Sequence, residues 1–365
     1  MAAGGAERVA LSVMSYLAEQ GYSVDLLLLH NEGELLAHLP PSIRVVDLGT
    51  RRVRQAVGPI ARYLREERPI ALQASMWPLT TLAVAARFLA RSDCRIVISD
   101  HAVLTQQYPG SRLLPVSARL TYRHADARIA VSRGVAEDIA GFTGLTLGDF
   151  DVINNPVAFP PEQPEFQPAI EHRALEAWSG AEHRILNVGT LKYEKQQVML
   201  VEAFACFAER QRDAALVIVG EGELRGAIEQ RAAACGVSDR VVITGYRDDP
   251  WPYYRSATMF ALASQQEGYG NVLIEALYSG LPIVSMDCPT GPREILAGGL
   301  FGSLVSERSP EALCDAMIES LSQVPDKPRL RARALELSGP TTLETYRETI
   351  LGGLDGTLQP SGTIT

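Results

Sequence analysis

Two glutamates, Glu267 and Glu275, are separated by seven residues, and the turn between them reads Gly268-Tyr269-Gly270-Asn271-Val272. The run from Ala257 to Ala263 reads as a short buried strand. Asn271 is a good N-cap, and Val272, Ile274, Glu275 and Ala276 open a helix. Gly280 closes that helix, Pro282 follows where a helix cannot continue, and Ile283 to Met286 reads as the next strand. The first turn of a helix carries unpaired N–H groups and partial positive charge, and glycines just ahead of it let a phosphate approach the backbone. Carboxylates repel phosphate, so the two glutamates must serve other groups of the same ligand, and hydroxyls are the natural choice. A diphosphate with a hydroxyl-rich group on either side is a nucleotide diphosphate sugar.

The stretch E-G-Y-G-N-V-L-I-E resembles the E-x7-E motif of the retaining glycosyltransferases of family 4, which have the GT-B fold. That resemblance implies that Glu267 faces the hydroxyls of the donor sugar, Glu275 binds the ribose, and Gly268 to Val272 hold the phosphates. It also implies Lys195 as a diphosphate contact: Gly189-Thr190-Leu191-Lys192-Tyr193-Glu194-Lys195 matches a family loop that reads Gly-Arg-Leu and then Glu-Lys. Thr190 stands where the family has its arginine, with Lys192 and Arg293 as the available substitutes. Tyr246, after Gly245, falls where the base would stack. His101, at the end of the strand Arg95–Ser99, falls near the donor sugar and reaction centre. Gly291 and Glu294 match a Gly-x-x-Glu turn, and Gly4-Gly5 matches the acceptor-side glycine turn.

These residues need elements to hold them. Strand-like runs alternate with helical periodicity along the chain, which is the pattern of an α/β protein with parallel sheets. The expectation is two Rossmann-like domains facing a cleft. Residues 1–160 form an acceptor-binding domain, 161–183 a proline-rich linker, and 184–338 a nucleotide-sugar-binding domain. Residues 339–354 form a helix crossing back to the first domain, and 355–365 a disordered tail. Gly4-Gly5 opens a helix with almost nothing before it, whereas the resemblance places a central strand there. The first strand of the N-terminal domain is therefore expected to be missing, with the native start further upstream. Gly220-Glu221-Gly222 lacks the third glycine of a dinucleotide fingerprint. Asp248-Asp249 reads as a helix cap before Pro250-Trp251, not as a metal motif.

The formal net charge of −9 gives no reason to expect nucleic acid as a partner. Five cysteines without C-x-x-C spacing argue against a disulfide framework and a zinc site, and for a reducing, cytoplasmic setting. No apolar run is long enough to span a bilayer, which leaves a peripheral contact with a membrane open. An arginine-rich stretch, Arg51 to Arg68, is read as a solvated helix face. Among 34 Lys and Arg only Lys192, Lys195 and Lys327 are lysines, which sets the Lys195 loop apart.

The resemblance thus implies a retaining, metal-independent hexosyltransferase that needs no cofactor. It moves a hexose or N-acetylhexosamine, from UDP in preference to GDP, to a glycan or lipid-linked saccharide of the cell envelope. A sugar-nucleotide epimerase, and a non-catalytic or truncated sugar-nucleotide binder of the same fold, are the rival readings.

Overall fold

The computed structural model describes residues 4–160, 170–288, 290–353 and 363–365. The chain divides into two compact units, residues 1–157 with 338–365 and residues 158–337. Each unit is built on one sheet of parallel strands.

In the second unit the strands are β7 (His183–Val188), β8 (Ala214–Val219), β9 (Val241–Ile243), β10 (Met259–Leu262), β11 (Ile283–Met286) and β12 (Ser303–Val305). Their order in the sheet is β12-β11-β10-β7-β8-β9. All six residues of β8, Ala-Ala-Leu-Val-Ile-Val, are buried, as expected of a central parallel strand covered on both faces. Leu200, Phe204 and Phe207 of the helix Gln197–Arg210 and Leu313 and Met317 of Pro310–Ser320 pack over this sheet. The strand order reverses between β7 and β10. Open α/β sheets bind ligands beyond the carboxyl ends of their strands at such a reversal, and the loops after β7 and β10 leave from there.

The first unit holds β1 (Ser23–Leu28), β2 (Arg44–Asp47), β3 (Ala71–Ser75), β4 (Arg95–Asp100), β5 (Ala127–Ala130) and β6 (Asp151–Val152). Its sheet has a seventh strand, β13 (Thr363–Ile364), and the order is β2-β1-β13-β3-β4-β5-β6. The last residues of the chain therefore occupy the central place expected of a first strand. Val24 pairs with Ile364, and Ile364 with Ala71. Tyr63 Oη lies 2.6 Å from Thr365 Oγ1 and donates to the buried Asp25 at 2.5 Å. Asp25 also accepts from Arg44 Nε at 2.9 Å. Gly5–Glu19 is a helix, N-capped by Gly4, whose Val9, Val13 and Leu17 join the same core as Tyr346, Ile350 and Leu351 of the helix Pro340–Leu351.

Three expectations are corrected. The disordered tail is contradicted at Thr363 and Ile364, because their short apolar-polar pair fits a gap in the sheet; residues 354–362 lie outside the described residues. The linker expected over 161–183 contains a helix, His172–Ser179, whose Ala174 and Trp178 are buried in the second unit; Pro161, Pro164 and Pro168 lie outside the described residues. Cys206 and Cys314 form a disulfide although 108 residues separate them, because the helices that carry them pack side by side. Spacing along the chain could not reveal that pair, and it removes the cysteine argument for a reducing compartment.

Ile364 is 2% exposed. Ile364→Ala is expected to lower the unfolding free energy in denaturant titrations by about 2–5 kcal/mol, the usual cost of truncating a buried isoleucine. An unchanged midpoint would show that β13 does not hold the centre of the sheet.

Candidate active site

The loop after β7 and the loop after β10 meet in an ion pair. Lys195 Nζ contacts Glu267 Oε1 at 2.6 Å and Oε2 at 2.8 Å, with the side chains 19% and 7% exposed. Ser264 Oγ donates to Glu267 Oε1 at 2.7 Å, and Thr290 Oγ1 donates to the carbonyl of Glu267. The backbone ties the loops together as well, since Gln265 N–H donates to the Glu194 carbonyl at 2.8 Å. Lys195 crosses Gly189, where an added Cβ would lie 3.9 Å from its Cδ and Cε.

Close backbone approach explains two glycine positions. A Cβ on Gly220 would stand 2.0 Å from the Gly189 carbonyl oxygen, and one on Gly291 would stand 1.8 Å from that of Tyr269. The first contact packs the Gly220-Glu221-Gly222 turn against the Lys195 loop. The second presses the loop after β11 against the Gly268–Gly270 turn.

The helix after that turn runs from Asn271 to Tyr278. Its N-cap is Gly270, at φ +107°, and not Asn271 as the residue type suggested. A glycine in the left-handed region turns the chain one residue earlier, so Asn271 becomes the first helical residue. Tyr269 is buried, whereas Asn271 and Val272 are partly exposed. Glu275 lies one turn in and accepts from the buried Tyr254 Oη at 2.6 Å. Tyr246 is half-buried directly after Gly245, whose carbonyl accepts from Gly220 N–H at 3.0 Å. Lys195, Glu267, the Gly268–Val272 turn and Glu275 are thus carried by the loops after β7 and β10 and by the helix that follows β10, at the carboxyl edge of one sheet.

The residues weighed as substitutes for the missing arginine have other partners. Thr190 is exposed, Lys192 stands 4.0 Å from Glu194, and Arg293 Nε donates to Asp287 at 3.2 Å. Asp249 accepts from Trp251 N–H at 3.0 Å at the start of the helix Trp251–Ser256, whose N-cap is Pro250. Among the described residues no group of three His, Cys, Asp or Glu side chains is arranged to hold a metal ion.

Sequence reasoning missed Ser264, Thr290, Tyr254 and Cys288. Cys288 donates to the Ser264 carbonyl at 2.9 Å, and burial, with the Glu267 charge second, pushes its thiol up to about 12. It is a neutral donor, not a nucleophile. Ser264 stands three residues before Glu267, a spacing at which a hydroxyl reaches a carboxylate across a turn. Tyr254 comes from the helix Trp251–Ser256, and Cys288 and Thr290 come from the loop after β11.

His101 belongs to the first unit, directly after β4. Its Nε2 lies 2.9 Å from Ser99 Oγ, and its Nδ1 is buried while part of the ring reaches solvent. Burial lowers its pKa to about 4, with the Asn155 side chain offsetting part of the shift. The adjacent Asp100 is 1% exposed, accepts from Tyr122 Oη at 3.2 Å, and is pushed up to about 7 by burial. Gly4 and Gly5 also lie in the first unit, at the start of the first helix.

His101 is therefore neutral at pH 7. The unfolded chain takes up its proton near pH 6.5 and the folded chain only near pH 4. Stability from this residue is complete above pH 6.5 and is lost as pH falls towards 4. Between pH 7 and pH 5 the wild type is expected to lose about 2 kcal/mol more than His101→Gln in chemical denaturation. Equal losses would mean that His101 is charged in the fold.

Against known proteins, residues 3–158 match the family model Glycosyltransferase Family 4, and residues 182–323 match Glycosyl transferases group 1. An N-acetylgalactosaminyltransferase of Campylobacter jejuni, named for a diphospho-undecaprenol-linked acceptor, is 30% identical over 51% of this chain and 48% of its own. The lipopolysaccharide core biosynthesis glycosyltransferase LpsE of Rhizobium meliloti is 26% identical over 91% of this chain and 90% of its own. The matches to the first curated relatives span about half of those proteins' length or less. Among solved structures, Anabaena HepE in complex with UDP and glucose has a TM-score of 0.78 and 19% identity, covering 96% of both chains. With two parallel sheets of the GT-B type and both family models matched in chain order, this chain belongs to the glycosyltransferases of the family 4 type, with the GT-B fold.

Proposed function

We propose that this chain transfers a hexose or N-acetylhexosamine from a UDP-sugar to a glycan or lipid-linked saccharide of the cell envelope, with retention at the anomeric carbon and without a metal ion. The observation that carries this reading is the Lys195–Glu267 pair beside the N-terminus of the Asn271–Tyr278 helix. It joins one cation, one oriented carboxylate and the N-terminus of a helix at the strand reversal. The relatives named for lipopolysaccharide and diphospho-undecaprenol acceptors, and the UDP in the HepE complex, support the acceptor and donor classes.

In this mechanism Glu267 accepts hydrogen bonds from the donor sugar's hydroxyls. Its two oxygens are already oriented by Ser264 and Lys195. Glu275, fixed by Tyr254, takes the ribose hydroxyls. The diphosphate lies against the 268–272 turn. As the bond from the anomeric carbon to the phosphate oxygen breaks, negative charge builds on the diphosphate, and the helix N-terminus and Lys195 stabilise it. The departing phosphate oxygen takes the acceptor hydroxyl's proton while the new bond forms on the same face. His101, in the first unit, is neutral at pH 7 and acts as a hydrogen-bonding group, not as a cation. The protein meets the membrane peripherally, where the acceptor is anchored.

Assays of UDP released in the presence of acceptor test this. Lys195→Ala is expected to lower kcat by roughly 10²–10³, the cost of one charge-stabilising donor, while EDTA leaves the wild-type rate unchanged. Wild-type turnover surviving in Lys195→Ala, or lost with EDTA, would overturn the reading. Binding of UDP-sugar without any turnover would favour a non-catalytic binder.

A further inference from the structure

We propose that the helix Leu113–Thr121, with the end of the helix Leu79–Ala90, docks the first unit on an anionic lipid bilayer. The inference deepens the acceptor side of the proposed function and rests on it only for its purpose; the surface itself is read from the first unit.

The helix Leu113–Thr121 buries Leu114 and Ala118. Its other side carries Leu113, Val116 and Leu120, which are 73%, 59% and 56% exposed. Their spacing of three and four residues places them in one stripe. Arg112, Arg119 and Arg123 are exposed as well, and helical spacing sets them alongside the stripe. The apolar surface continues onto a neighbouring helix end. Phe88 and Leu89, at the close of Leu79–Ala90, are 58% and 54% exposed, and the Phe88 ring meets the His124 ring edge-on at 5.3 Å. Five of the twelve exposed large apolar residues among those described thus gather on two adjoining helices. Single exposed apolar residues are ordinary, whereas a grouped stripe marks an interaction surface.

Charge selects the partner. No Asp or Glu occurs between Asp100 and Asp126, in a chain whose net charge is −9. Asp126, at the margin, is held by Arg87. A narrow apolar stripe beside arginines, in a stretch of sequence without acid, fits a bilayer surface: the leucines and valine enter the acyl boundary and the guanidinium groups stay with anionic headgroups. This is a different surface from the arginine-rich stretch 51–68, which Glu66 and Glu67 interrupt. In chain order the helix Leu113–Thr121 follows β4, His101 and the short helix Leu104–Gln107.

The test is co-sedimentation of the full chain with phosphatidylcholine vesicles, with and without about one-third phosphatidylglycerol. Binding to the anionic vesicles alone, weakened by salt, is expected. Arg112→Gln/Arg119→Gln/Arg123→Gln should weaken partitioning about 100-fold, and Leu113→Glu/Leu120→Glu at least about tenfold. All five side chains are exposed, so circular dichroism and unfolding midpoints should be unchanged and the losses read as surface effects. Absence of wild-type binding, equal binding to neutral vesicles, or unaltered binding by both variants would overturn the proposal. So would a dimer in sedimentation velocity that Leu113→Glu/Leu120→Glu dissolves without any vesicle binding, which would make this face a contact between copies. Turnover with a soluble acceptor is measured separately, so failure here leaves the donor-site reading standing.

Discussion

A lysine and a glutamate 72 residues apart share one pocket of low exposure, and neither charge could remain there alone. Lys195 is 19% exposed and Glu267 is 7% exposed. Removing one partner would leave the other charge desolvated and unpaired, which is strongly unfavourable. That constraint fixes the two loops that carry them. Ser264 and Thr290 anchor Glu267 from two sides, and Gln265 fastens its loop to Glu194. Gly220 and Gly291 give up their side chains so that the supporting turns can come close enough. The result is a carboxylate and an ammonium group oriented before any ligand arrives, which is what catalysis by charge stabilisation requires. The same pairing holds Lys195 beside the helix N-terminus and not in solvent.

The first unit depends on a different device. Its sheet is completed by two residues from the end of the chain, held by backbone pairing on both sides and by the Asp25–Tyr63–Thr365 hydrogen bonds. In the same sheet, β4 delivers Asp100 and His101 to its carboxyl edge, where burial keeps His101 neutral and pushes the Asp100 carboxyl up to about 7. The helix Pro340–Leu351 covers β3 and β4 with Tyr346, Ile350 and Leu351, so the end of the chain both fills and roofs this sheet.

Much of this was legible in the sequence because periodicity and glycine placement are local. The strand, turn and helix around Gly268–Gly270 and the alternating α/β pattern are of that kind, and so is the pairing of Lys195 with a strand end. What stayed hidden depends on contacts distant in the chain. Ser264 and Tyr254 reach the two glutamates only in the fold, and Cys206 and Cys314 meet only because two helices pack together. Asn271 was misread as a cap because residue preference cannot see that Gly270 turns the chain first. The helix His172–Ser179 was masked by the prolines before it, although Ala174 and Trp178 at i and i+4 were its signal. The place of Thr363 and Ile364 at the centre of a sheet leaves no mark on two residues of sequence.

The central claim is that the Lys195 loop and the Glu267–Glu275 turn form one nucleotide-sugar site. Hydrogen–deuterium exchange of the full chain with and without UDP tests it most directly. The account predicts slowed exchange in residues 189–197 and 267–275 together, with GDP weaker than UDP. Protection confined to other segments, or none at saturating UDP, would contradict it.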